Sequence, residues 1–97
     1  MRIVARKTLS DFWEKHENSK TALLAWFSEA ENAEWKTPSE IKKRYPSGDP
    51  VGDNRFVFNI KGNSYRLVVK IHYNTGVIYI RFIGTHAEYD KINAEEI

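Results

Sequence analysis

Residues 55–90 read RFVFNIKGNSYRLVVKIHYNTGVIYIRFIGTHAEYD, and the fold turns on how this stretch is paired. Apolar and polar residues alternate along three runs. The runs are separated by Gly62-Asn63 and by Thr75-Gly76, dipeptides that suit tight turns, so the pattern predicts a three-stranded antiparallel meander. Placing Lys61 opposite Ser64 sets Asn59 against Arg66, Val57 against Val68 and Arg55 against Lys70. Placing Tyr73 opposite Ile78 sets Lys70 against Arg81 and Arg66 against Thr85. One face is then apolar: Phe56, Phe58, Ile60, Tyr65, Leu67, Val69, Ile71, Tyr73, Ile78, Ile80 and Phe82. A slip of one residue would scramble it.

The opposite face carries a row Arg55–Lys70–Arg81 and a second row Asn59–Arg66–Thr85. No acidic residue lies between Arg55 and Arg81, while acids gather in the first half of the chain and its last ten positions. Like charges directly opposite cost roughly 0.2–1 kcal/mol per pair. An anion would relieve that cost, and a nucleic-acid backbone is the anion that such a row of cations suits. His86 follows Ile83-Gly84-Thr85 at the rim, where Gly84 lets the backbone turn. An imidazole exchanges protons near neutral pH. RNA cleavage needs a base for the 2′-hydroxyl, an acid for the leaving 5′-oxygen and cations for the phosphorane. His86, Arg66, Tyr89 and Asp90 are the candidate catalytic residues. Arg55, Asn59, Lys61, Lys70 and Arg81 are the candidate RNA-binding residues.

Outward from this stretch, Ile3 and Val4 suggest a short strand at Arg2–Ala5. Thr8 is placed to cap a helix running to about Glu17. Asn18 or Ser19 opens a second helix, with Ala22, Leu23, Trp26, Phe27 and Ala30 on one stripe. Thr37-Pro38-Ser39-Glu40 is a capping box with proline at the first helical position, and Pro46 ends that helix. Ser47 to Asn54, with two glycines and a proline, reads as a loop. The element order predicts one α+β domain over residues 1–97, with the N-terminal strand and helices on one face of a small, mostly antiparallel sheet.

Composition sets the outer limits. The chain has 97 residues, a formal net charge of +2 and no cysteine, which excludes disulfides and thiolate metal sites. The histidines at 16, 72 and 86 have no ligand-like spacing, so neither metal nor cofactor is expected. No run approaches the roughly 20 apolar residues of a membrane span, and charges break the opening segment, against a secretory signal. A cytoplasmic protein is the expectation.

RFVFNIKGNSYRLVVKI (55–71) and IYIRFIGTHAEYDKI (78–92) resemble HigB-type toxins, a branch of the RelE/ParE superfamily. RKTLSDFWEKH (6–16) and WKTPSEIKKRYP (35–46) extend the likeness over nearly the whole chain. The resemblance implies a RelE-like fold and mRNA cleavage, typically on the ribosome. It also implies neutralisation by a helix-turn-helix antitoxin of HigA type. Arg66, in S-Y-R-L-V, matches the family's phosphate-stabilising arginine. The other RelE residues transfer poorly. His86 stands where RelE has a second arginine, Val57 and Asn59 stand where it has paired lysines, and Tyr89 is offset from its catalytic tyrosine. Lys61 and Lys70 are the substitutes at hand, and the pattern points to a histidine-centred mechanism. Two other readings share the scaffold. A ParE-like gyrase poison or a plain RNA-binding module would keep the basic face and have no need of His86.

Overall fold

The computed structural model describes residues 1–97. Five strands form one sheet in the order β1-β5-β4-β3-β2, with β1 Arg2–Val4, β2 Asp49–Val51, β3 Arg55–Ile60, β4 Tyr65–His72 and β5 Val77–Thr85. Only β1 runs parallel to its neighbour β5. Helices α1 (Arg6–Lys15), α2 (Lys20–Asn32) and α3 (Pro38–Arg44) precede the meander, and a short α4 (His86–Tyr89) follows it. No helix is long and apolar enough to cross a membrane. The architecture is the expected α+β one.

The helical stripes bury Leu9 and Trp13 from α1, Leu23, Trp26 and Ala30 from α2, and Ile41 from α3. They pack on Phe56, Phe58, Leu67, Val69, Ile71 and Ile78. Phe56 and Phe58 are fully buried. Burying such a side chain stabilises a fold by about 1.5–3 kcal/mol. Trp35, which the sequence leaves open between core packing and base stacking, belongs to this core and stacks on Phe58.

Helix ends were partly legible. The Thr37–Glu40 capping box forms with Pro38 in the first turn. Thr8 caps nothing: α1 begins two residues earlier, after Ala5, without a side-chain cap. The Ser47–Asn54 loop contains β2, which pairs Asp49 with Val57 and Val51 with Arg55. Its Pro50 is tolerable because β2 is an edge strand, free of a second ladder.

The first hairpin has the expected register, with Arg55 opposite Lys70, Val57 opposite Val68 and Asn59 opposite Arg66. The second does not. Gly76, at φ +73°, closes its loop on the His72 carbonyl, so His72 pairs with Val77 and Tyr73 falls in the turn. Lys70 therefore faces Tyr79, not Arg81. Further along, Val69 pairs with Ile80 but Val68 pairs with Phe82, leaving Arg81 as the extra residue of a β-bulge. Every later side chain changes face. Phe82 leaves the main core, Ile83 joins it, and Gly84, not Thr85, lies opposite Arg66. The row Arg55–Lys70–Arg81 does not exist.

The face away from α1–α3 is not bare either. Val57 and Val68 at its centre are covered by Ala94, with Phe82, Tyr89, Ile92 and Ile97 around them. The segment after β5 thus lies across the sheet and separates Arg66 from Lys70.

Candidate functional site

Arg66 and His86 meet at the corner where β4, β5 and α4 converge. A strand presents alternate residues to one face, so Arg66, Val68 and Lys70 share the face opposite the main core. The bulge at Arg81 brings Gly84 opposite Arg66 and starts α4 beside it. Thr85 caps α4 through a capping box. Its hydroxyl accepts from the Glu88 amide, and Glu88 accepts from the Thr85 amide at 2.8 Å. Hydrogen bonding to Thr85, its backbone amide first and its side chain second, holds the Glu88 carboxyl below its ordinary range. The sequence carries this signal as Thr85-His86-Ala87-Glu88, a T-x-x-E box.

Capped in this way, α4 presents His86 and Tyr89 to the Arg66 guanidinium, with Asp90 behind the imidazole. Arg66 Nη2 lies 2.9 Å from His86 Nε2, and the Arg66 guanidinium carbon lies 5.1 Å from the centre of the Tyr89 ring. His86 Nδ1 lies 3.5 Å from Asp90 Oδ2. A guanidinium only donates, so in this contact Nε2 accepts and the imidazole proton sits on Nδ1, facing Asp90. Arg66 Nε is buried without a hydrogen-bond partner. Buried donors are nearly always paired.

The four candidate catalytic residues therefore converge. The candidate RNA-binding residues do not form one surface. Lys70 lies further along the arginine's face, past Val68, near His72 and Tyr79, whose rings meet edge to face. Arg55 is turned inward, donating to the carbonyls of Ile97 at 2.5 Å and Asp53 at 3.2 Å. Asn59 donates to the Ser47 carbonyl at 2.8 Å. Lys61 sits in the first turn at φ 54°. Arg81, displaced by the bulge, lines a cleft with Lys15 and His16 of the α1 end. Gly84 is not a turn residue but a strand residue: a Cβ there would meet Phe82 Cζ at 2.5 Å and Glu88 Oε1 at 3.1 Å. The glycine lets the Phe82 ring lie close to the strand, beside Tyr89.

Residues 19–92 match the family model described as HigB toxin, the RelE-like toxic component of a toxin–antitoxin system. The chain is 34% identical over 96 residues to the mRNA interferase toxin HigB of Escherichia coli K12, covering 97% of this chain and 92% of that protein. It has the same identity and coverage with the mRNA interferase HigB of Shigella flexneri. With the mRNA interferase HigB of Escherichia coli O6:H1 it is 24% identical over 94 residues, covering 95% of this chain and 91% of the relative.

Proposed function

The chain belongs to the HigB family of RelE-like toxins, and from that premise we propose that it is an endoribonuclease that cleaves mRNA by attack of a ribose 2′-hydroxyl on the adjoining phosphate. The names of its relatives support the substrate. The observation that carries the chemistry is the Arg66–His86 contact, backed by Asp90 on the far ring nitrogen and Tyr89 against the guanidinium. A gyrase poison or a passive RNA-binding module gives that arrangement no task.

An incoming phosphate binds the Arg66 guanidinium through Nη2. That draws Nη2 from His86 and releases the Nε2 lone pair. Nε2 then accepts the 2′-hydroxyl proton as the 2′-oxygen bonds to phosphorus. The resulting imidazolium donates through Nδ1 towards Asp90, which stabilises it. The bond to the 5′-oxygen breaks, Tyr89 protonates that oxygen, and a 2′,3′-cyclic phosphate remains. Side chains supply each proton and charge, without a metal or cofactor. Lys61, Lys70 and Arg81 contact the RNA backbone to either side. Asn59 positions substrate beside Arg66, and Arg55 acts through the fold of the C-terminal segment. Cleavage takes place in the cytoplasm on mRNA engaged by the ribosome. An antitoxin partner follows from the family; we assign it to the helix-turn-helix HigA type.

The test is induced expression with mapping of RNA ends, comparing the parent with His86→Gln. The expected result is new ends bearing cyclic phosphate and 5′-hydroxyl in the parent, and none with His86→Gln at equal protein level. Cleavage retained in His86→Gln would refute the mechanism.

A further inference from the structure

Arg81 is the inserted residue of the β5 bulge, and the insertion decides where its side chain goes. Ile80 pairs with Val69 and Phe82 with Val68, so Arg81 has no partner on β4. In a regular strand it would share the sheet face of Arg66 and Lys70. Out of the ladder, it lines a cleft of about 380 Å3 with Lys15 and His16 at the end of α1 and Glu88 of α4. Bulges recur beside active sites because they re-aim a side chain in this way. The cleft has room because β1 pairs with β5 only from Val77 to Tyr79, and α1 lies against β5 beyond it.

The acids of this cleft are already engaged. Asp11 holds the Lys7 ammonium at 2.9 Å, and Glu88 accepts from the Thr85 amide at 2.8 Å in the capping box. Lys15 and Arg81 are exposed, and neither forms an ion pair. His16, stacked on Phe12 with ring centres 4.4 Å apart, adds a third cation when protonated. The uncommitted charge is therefore positive, and it gathers in a concavity. One short helix separates this cleft from the catalytic corner: His86 and Tyr89 of α4 touch Arg66, while Glu88 reaches the cleft. The other way from Arg66, along the sheet, is covered by Tyr89, Ile92 and Ala94 over Val68. A polymer with phosphates at regular intervals, held at Arg66, is the anion that reaches both places.

We propose that this cleft is a second phosphate subsite, in which Lys15 and Arg81 hold the RNA backbone where it passes round α4 from the scissile phosphate. This rests on the RNA-cleaving reading for the identity of the anion. Contacts to phosphate oxygens supply affinity and register without reading a base. Arg66 and His86 act on the bond that breaks, and Lys15 with Arg81 keeps the flanking strand from sliding. An acidic protein segment carries charge of the same sign, but nothing requires it to pass the reacting centre.

The probe is a short single-stranded RNA methylated at every 2′-oxygen, which 2′-hydroxyl attack cannot cleave. Its Kd for the full chain is measured by fluorescence anisotropy over a range of salt concentrations. Each phosphate contact on a single strand contributes about 0.7 to the slope of log Kd against log salt. Lys15→Gln and Arg81→Gln are each expected to lower the slope by about 0.7, and the double variant by about 1.4. Arg81→Lys, which keeps the charge, should retain the parent slope, a result that damage to the bulge would not give. Lys43→Gln removes the same charge from α3 and should leave the slope unchanged. A slope unaltered in the double variant, or lowered equally by Lys43→Gln, overturns the proposal. So does a double variant that binds RNA like the parent but no longer binds its purified antitoxin, since the cleft would then belong to the protein partner. Cleavage of unmethylated RNA by the parent alongside an unaltered slope leaves the nuclease reading standing while this one falls. The expected loss of slope in a chain that cleaves no RNA supports the subsite and sinks the nuclease reading.

Discussion

Replacing Arg66 with methionine should separate catalysis from stability. Arg66 is the second residue of β4, with its Nε buried and unpartnered, a condition that costs the folded state about 1–3 kcal/mol. Against this, its Nη2 contact with His86 is worth roughly 0.5–1.5 kcal/mol. Its position over the Tyr89 ring adds about 0.5–1 kcal/mol at a partly exposed site. The terms nearly cancel. Methionine keeps the apolar stem, fills the space against Tyr89 and removes the stranded donor. Arg66→Met should therefore unfold within about 1 kcal/mol of the parent, a thermal shift of roughly 4–8 °C at most for a domain of this size. Its cleavage rate should fall by roughly 10²–10³, as when a charge-stabilising donor is lost at the reacting centre. The assays are calorimetry and single-turnover cleavage of a short RNA on the same preparation. Destabilisation by more than about 2 kcal/mol would show that Arg66 serves the fold, because its two contacts would then outweigh the unpaired donor. Cleavage within a factor of a few of the parent would remove it from the mechanism.

Three further outcomes can be checked. Gly84→Ala places a methyl 2.5 Å from Phe82 Cζ and should cost about 1–3 kcal/mol in urea denaturation, the usual penalty of overpacking; no loss would mean that the Phe82 ring moves freely. Glu88 has its carboxyl held below the ordinary range by the Thr85 amide and hydroxyl, so its contribution is complete above the unfolded-state pKa and is lost as pH falls through the lower folded value. Glu88→Gln keeps the box without titrating, and its thermal midpoint should approach or pass the parent's in acid while trailing at neutral pH; a pH-independent gap would contradict this. Thr37→Ala removes the acceptor of the Glu40 amide and should cost about 1 kcal/mol, measured by the same denaturation.

Where the sequence was informative, local geometry sufficed. The first hairpin's register could be read because its loop is short and one slip would expose Phe56, Phe58 and Leu67 together. The Thr37–Glu40 box could be read because its four residues specify their own hydrogen bonds. The second register could not. Ile78, Ile80 and Phe82 alternate as a regular strand would, and nothing local to Arg81 announces a bulge. That bulge exists because both faces of β5 must be covered, one by the helices and the other by residues 89–97. Such a condition involves segments far apart in the chain.

The candidate site divides along the same line. The residues His86, Arg66, Tyr89 and Asp90 could be chosen from the sequence by their chemistry and by resemblance to a family. That they face one another depends on the inserted residue, which turns Gly84 towards Arg66 and starts α4 at the sheet's corner. The continuous cationic row was an artefact of the unbulged pairing: Arg55 is turned to the Ile97 carbonyl and Arg81 lies beside α1. Sequence alone determined the strands, the helical stripes and the kinds of side chain available, since each depends on periodicity and neighbours. Only the tertiary structure decided which of the cations share a surface with His86, because side-chain facing in a sheet is fixed by long-range pairing, and a single extra residue reverses it.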